Sequence, residues 1–404
     1  MTGPLTFWFD YTCPYAYLAS TQAEVLAGRM GVDLEWAPML LGGVFRANGT
    51  AQRLFETLSP AKARHNAEDM ARWARLFGVE LTMPSGHPYR SVEALRATLL
   101  AGRDPAVIHG FYRAYWVENR PVSDPDTLRR VLATAGHDPG AILARLDEQA
   151  VKDDLRARTD RAIALGIFGA PSWVARGEMY WGQDRMHFVL GRDVDWIPGL
   201  RPEEGYVEKK THTLEVFWDF SSPFAYLGST QVEALAARTG ATVVWRPMLL
   251  GGVFKDIGQV DAPILTWSDA KRRYYLEDLQ RWAAYWGVPF RFPSRFPMAS
   301  VKALRAYLAL PEARQRLFRE RTFAAYWAED RDISDDAVLA DLLGDDGREV
   351  LARTQDKAIK DALIGASKEA VARGVFGAPT FVVDGKDLFW GQDRLALVER
   401  ALTA

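Results

Sequence analysis

A single cysteine, Cys13, stands in the stretch FWFDYTCPYAYLAS, and the related stretch FWDFSSPFAYLGS places Ser222 at the same point before a proline. A thiol or hydroxyl just ahead of a proline that opens a helix meets free backbone N–H groups and the positive end of the helix dipole. Such a setting lowers a cysteine pKa, or stabilises the thiolate of a bound molecule. A disulfide oxidoreductase would need a second cysteine three residues on, and those positions hold Ala16 and Ala225. A dithiol cycle is therefore closed to both sites. Ser222 carries no sulfur, but its hydroxyl can donate a hydrogen bond to a sulfur anion brought by something else, which implies a small-thiol cofactor. A second motif, WGQDR, occurs at 181–185 and 390–394. Gln183 with Asp184, or Gln392 with Asp393, would open the last helix of each half. Helix N–H groups suit a carboxylate and the Asp suits an ammonium, so the pair fits an amino-acid zwitterion.

These motifs belong to an internal duplication. At an offset of 209, EWAPMLLGGVF (35–45) matches VWRPMLLGGVF (244–254), and SVEALRA (91–97) matches SVKALRA (300–306). AYWVENR (114–120) pairs with AYWAEDR (325–331), and GIFGAPSW (166–173) with GVFGAPTF (374–381). Units of this length are too long for a solenoid repeat and read as two tandem domains, 1–192 and 212–404, joined by a linker over 193–211 that mixes Pro, Gly and charge. Each unit opens with an aromatic β-rich run, LTFWFDY or LEVFWDF, followed by a helix that starts at the proline. A second strand ends at a Pro and a Gly-Gly turn. The next hundred residues carry helical spacing of apolar positions such as Met70, Trp73, Ala74 and Phe77. Then TFVVDGKDLFW reads as a hairpin around Asp384-Gly385, and QDRLALVERAL as a closing amphipathic helix.

Strand, helix, strand, helical insertion, hairpin and helix is a thioredoxin-like order, an α/β class with an all-helical subdomain inserted in each unit. In such folds the proline of the FGAP motif, here Pro171 and Pro379, is cis, and the preceding residue, Ala170 or Ala378, offers its backbone to an extended ligand.

Composition narrows the partner. The net charge of -2 creates no field that draws nucleic acid or an acidic membrane surface. No uninterrupted apolar stretch is long enough to span a bilayer, the start lacks a signal-peptide pattern, and one cysteine forms no internal disulfide, so a reducing cytoplasm is expected. The six histidines show no metal-ligand spacing, and no metal is expected. Plainer roles exist for each candidate: Ser222 as a helix cap, Cys13 as a small buried hydrophobe, and Lys62 and Lys271 as solvated lysines.

Both units resemble the group of 2-hydroxychromene-2-carboxylate isomerases and kappa-class glutathione transferases, in the DsbA-like branch of the thioredoxin superfamily. The stretches that carry the resemblance are DFSSPFAYL, PMLLGGVFK, KRRYYLEDLQRW, FPSRFPMASVKALRA and GVFGAPTFVVDGKDLFWGQDRL. It implies two DsbA-like domains packed as a pseudo-dimer, with glutathione or another small thiol as cofactor. It also implies that Ser222 contacts the glutathione sulfur, Ala378 with Pro379 pairs with the cysteinyl backbone, and Asp393 with Gln392 binds the γ-glutamyl end, while Lys271 meets a ligand carboxylate. The implied reaction is thiolate addition to an electrophilic aromatic or unsaturated small molecule, ending in isomerisation or transfer. In the first unit Cys13 replaces the serine, and His65-Asn66 replaces Tyr274-Tyr275. Two other functions stay open from the sequence: monothiol disulfide chemistry at Cys13, and thiol or peptide binding without turnover.

Overall fold

The computed structural model describes residues 3–191, 211–260 and 263–403; all but the last residue of the expected linker lies outside them. In the first repeat the order is β1 Leu5–Phe9, α1 Pro14–Ser20, α2 Ala23–Met30, β2 Leu34–Pro38 and α3 Leu41–Ala47. The helical insertion follows as α4 Pro60–Phe77, α5 Val92–Leu100, α6 Pro105–Trp116, α7 Pro125–Thr134, α8 Pro139–Leu143 and α9 Gln149–Ala164. The hairpin β3 Ser172–Ala175 and β4 Glu178–Trp181, then α10 Met186–Leu190, complete it. The second repeat runs β5 Thr213–Trp218, α11 Pro223–Thr239, β6 Thr242–Pro247 and α12 Leu250–Asp256. Its insertion comprises α13 Asp269–Trp286, α14 Val301–Ala309, α15 Glu312–Trp327, α16 Asp336–Leu343, α17 Gly347–Arg353 and α18 Lys357–Ala372. Hairpin β7 Thr380–Val383 and β8 Asp387–Trp390, with α19 Leu395–Leu402, ends the chain. The expected thioredoxin-like order, inserted helices included, is what forms.

Each repeat builds a four-stranded sheet, β2-β1-β3-β4 or β6-β5-β7-β8. The first strand pairs parallel with the second and antiparallel with the third. A strand held from both sides and covered on both faces needs a near-continuous apolar run, and every residue of LTFWF is buried. The hairpin turn at Asp384-Gly385 has both residues at positive φ, 50° and 70°, the backbone that matches the twist of two flanking strands. Compact packing divides the chain almost along the repeats. One unit is Met1–Leu58, Ala67–Gly199 and Ser268–Lys271; the other is Ser59–Asn66, Leu200–Trp267 and Arg272–Ala404.

One sequence expectation needs correction. LGGVFRA and LGGVFKD are helices, α3 and α12, where a Gly-Gly turn was expected. In α3 one of them marks a close approach, since a Cβ on Gly43 would sit 3.0 Å from Thr159 Cγ2 of α9, whereas a Cβ on Gly252 of α12 would meet nothing nearer than 3.8 Å.

The start of these helices is organised by a carboxylate that sequence reading passed over. Asp219, fully buried at the end of β5, accepts from Ser221 N at 2.9 Å and, through its other oxygen, from Leu250 N at 2.7 Å. Its backbone carbonyl accepts from Ser222 N at 3.2 Å. Asp10 repeats the arrangement with Thr12 N and Leu41 N, at 3.0 and 2.8 Å. Burial pushes both carboxyls above the usual range, although those N–H bonds pull the other way. Replacing Asp219 with alanine strands one buried and one partly buried N–H group, a buried one being worth about 1–3 kcal/mol. We expect Asp219→Ala to lower the urea unfolding free energy of the Ser222 unit by roughly 2–4 kcal/mol; a loss below about 0.5 kcal/mol would contradict this role.

Candidate active site

Ser222 is the N-cap of α11, a helix of 17 residues with Pro223 at its first turn. Its Oγ accepts from Ala225 N at 3.1 Å and donates to the Ala378 carbonyl at 2.8 Å. The hydroxyl is thus a working cap whose single proton rests on the strand-side loop. The Ala378–Pro379 and Ala170–Pro171 peptides are cis, as the FGAP motif predicts. Further along α11, an added Cβ on Gly228 would lie 3.3 Å from both Gln392 Cβ and Pro379 Cγ. The missing side chain lets α11 sit against the other two motifs, so Ser222, Ala378-Pro379 and Gln392 converge at one end of the sheet.

Gln392 and Asp393 behave differently from each other. Asp393 pairs with its neighbour Arg394 at 3.2 Å. Gln392 is 2% exposed, and its Nε2 finds no acceptor among the described residues. A buried amide donor left without a partner costs free energy, and a ligand acceptor would recover it. These residues form a short 3₁₀ turn, Gln392–Arg394, so α19 begins after them and not at them.

Trp390, at the end of β8, packs against Phe376 with the rings tilted and their centroids 5.0 Å apart. Its backbone N–H donates to His65 Nε2 at 3.1 Å, and Lys62 Nζ lies 5.0 Å from its ring centroid. Both partners come from α4 of the first repeat, in the Ser59–Asn66 segment that packs with the Ser222 unit. Ser268–Lys271, which carries Lys271, groups with the other unit. Sequence alignment of the repeats marks the two lysines as equivalent but cannot say which unit each joins.

In the first unit the same backbone carries different chemistry. Cys13 is 8% exposed, does not cap α1, and donates its thiol proton to the Ala170 carbonyl at 3.0 Å. The expectation that the helix start lowers its pKa fails. Burial raises it to about 12, outweighing the Ala16 and Tyr15 N–H groups, and the nearby Asp10 carboxylate adds to the rise. The supporting helix is also short, seven residues, which weakens its dipole. Pro171 follows Ala170 as Pro379 follows Ala378. Gln183, 3% exposed, has an Nε2 without an acceptor among the described residues, and Asp184 pairs with Arg185 at 3.0 Å. No group of His, Cys, Asp and Glu among the described residues could hold a metal, and none of their helices is long and apolar enough to cross a membrane.

A serine-capped helix, a cis-proline loop and a closing Gln-Asp turn around a four-stranded sheet define a thioredoxin-type site. The DSBA-like thioredoxin domain matches residues 4–192 and again 213–403, and the chain belongs to that family, carrying the domain twice. Within it, the chain is similar to the 2-hydroxychromene-2-carboxylate isomerase of Sphingobium xenophagum, 29% identical over 201 residues, covering 48% of this chain and 98% of that protein. The isomerase of Pseudomonas putida is 30% identical, covering 46% and 90%. Glutathione S-transferase kappa 1 of Rattus norvegicus is 27% identical, covering 46% and 88%. A solved structure of a 2-hydroxychromene-2-carboxylate isomerase, 28% identical, covers 47% of this chain and 94% of its own, with a TM-score of 0.42. Each relative is matched over nearly its whole length by about half of this chain.

The Cys13 environment makes a direct prediction. An ordinary cysteine has a pKa of about 8.5, so the unfolded chain ionises first. Cys13 therefore leaves stability unchanged below about pH 8.5 and subtracts from it as pH rises towards 12. Native protein at about pH 8 should react with a disulfide reagent far more slowly than denatured protein; equal rates would show that the thiol is accessible and ionised.

Proposed function

We propose that the Ser222 unit binds glutathione or a similar small thiol, and acts as an isomerase or transferase on an electrophilic aromatic or unsaturated small molecule. The observation that carries this reading is the Ser222 hydroxyl at the N-terminus of a long helix whose Gly228 packs against Gln392, a buried amide donor that lacks an acceptor among the described residues. The relatives named 2-hydroxychromene-2-carboxylate isomerase and glutathione S-transferase kappa 1 support it. Glutathione, when bound there, supplies the sulfur nucleophile.

What the chain contributes follows from its own atoms. Ser222 keeps its cap bond from Ala225 N while its proton turns from the Ala378 carbonyl to an incoming sulfur anion. The exchange swaps a bond to a neutral carbonyl for a charge-assisted one, roughly twice as strong. The first N–H groups of α11 add their partial positive charge. Gln392 Nε2 donates to a ligand carboxylate. The buried setting makes each of these contacts count for more than it would in water.

The Cys13 site serves this chemistry poorly, because its proton is held at neutral pH. Disulfide exchange needs a thiolate, so the geometry does not favour the redox reading.

Calorimetric titration of glutathione tests the proposal. Wild type should bind saturably. Ser222→Ala should bind roughly ten- to a hundredfold more weakly at about pH 8, the loss of one hydrogen bond to a charged group, and turnover of a conjugated electrophile should fall with it. Cys13→Ser should leave both within about twofold. Absence of binding by wild type, or activity that depends on Cys13 alone, would refute the reading.

A further inference from the structure

The helical insertion of the second repeat holds a cavity of about 600 Å³ where α14, α16 and α17 meet. Its charged lining is Lys302, Arg348 and Asp336, with Gln355 beside them and Ala340 and Leu351 among its apolar residues. Asp336 pairs with Lys302, which leaves Arg348 as a cation with no carboxylate at ion-pair distance among the described residues. A volume of this size is in the range of sites that take small organic molecules.

A further cation belongs to the same place. Arg305 lies one turn after Lys302 on α14, so the two share a helix face. Its Nε is buried and has no acceptor among the described residues. The first repeat shows which partner is gone. ILARLDEQAVKDDL (142–155) matches VLARTQDKAIKDAL (350–363), setting Asp147 where Gln355 stands, and the SVEALRA match makes Arg96 the counterpart of Arg305. There Arg96 Nη1 donates to the Asp147 carboxylate at 3.4 Å and to the Leu146 carbonyl at 3.5 Å. The second repeat keeps the arginine and loses the carboxylate. The same alignments set Lys302 against Glu93 and Arg348 against Gly140, so each of these exchanges makes the second repeat more positive around one cavity. A buried guanidinium N–H without an acceptor costs free energy that a bound anion would recover.

We propose that this cavity binds a small organic phosphate monoester. With Asp336 offsetting Lys302, the positive charge that remains is that of Arg348 and Arg305. A dianion balances both, and a single carboxylate balances one. Phosphate monoesters carry a charge of about −1.5 to −2 at pH 7, and a guanidinium fork meets two of their oxygens at once. The phosphate faces the two arginines, and the organic part rests against Ala340 and Leu351. The site shares no residue with Ser222, Ala378 or Gln392, and it does not depend on the thiol-binding reading.

Calorimetric titration of phenyl phosphate into the full-length protein, at low salt and about pH 8 where the probe is a dianion, tests the site. Wild type should bind saturably. Arg348→Gln should weaken binding roughly tenfold, the loss of one charge-assisted contact. Gln355→Asp gives Arg305 the partner that Arg96 has in the first repeat, and should weaken binding by at least roughly the same factor. Arg353→Gln removes an exposed cation of α17 outside the cavity and should leave binding within about twofold. Benzoate, with one negative charge on the same ring, should bind roughly tenfold more weakly than phenyl phosphate in wild type. No saturable binding by wild type, equal losses in Arg348→Gln and Arg353→Gln, unchanged binding in Gln355→Asp, or benzoate binding as tightly as phenyl phosphate would each overturn the proposal.

Discussion

The structure of each unit depends on one buried carboxylate at the end of its first strand. Asp219 ties the turn that carries Ser222 to the start of α12 through N–H bonds at 2.9 and 2.7 Å, and Asp10 does the same in the other unit. A carboxylate offers two acceptor oxygens, one to each helix start, where the amide of the same size offers one. The cost is desolvation of a charge, evident in the raised pKa of both groups. The return is a turn, carrying Ser222 or Cys13, fixed to the sheet and to the start of the next helix together. The insertion is clamped on the same turn, with Trp327 Nε1 donating to the Phe220 carbonyl at 2.8 Å and Trp116 Nε1 to that of Tyr11.

On this shared frame the two positions differ in what they bond. An oxygen at position 222 caps its helix and donates its proton to the Ala378 carbonyl, the proton that in our proposal turns to a bound sulfur. A sulfur at position 13 makes no cap, holds its proton against Ala170, and stays neutral because ionising it would bury an unpaired charge beside Asp10. Helix position alone does not activate a thiol. Solvation outweighs the dipole when the helix is short and the group is covered.

Much of this was legible in the sequence, and the gaps have physical causes. Matching motifs separated the repeats, and alternation between β-rich and helical spacing gave the element order. The Asp384-Gly385 turn announced its hairpin. The Gly-Gly segments misled because glycine signals both a turn and a close contact, and Gly43 of α3 is a case of the second, close against Thr159. Asp10 and Asp219 were visible in matched positions, but acidic residues near strand ends are common, and only the fold shows which N–H groups they meet. The high pKa of Cys13 depends on burial, which no local pattern encodes. The place of Lys62 was hidden for a further reason: equivalent segments of the two repeats, Ser59–Asn66 and Ser268–Lys271, each pack with the opposite unit.

The central claim, that Ser222 stabilises a borrowed thiolate, is tested most directly by following thiolate absorbance against pH for glutathione bound to the protein. Cys13 does not interfere, since it stays protonated until about pH 12. A bound thiol that ionises at least one pH unit below the free thiol's value of about 8.5, and that returns towards that value in Ser222→Ala, is the expected result. A bound thiol with an unshifted pKa, or a shift that survives loss of the Ser222 hydroxyl, would contradict it.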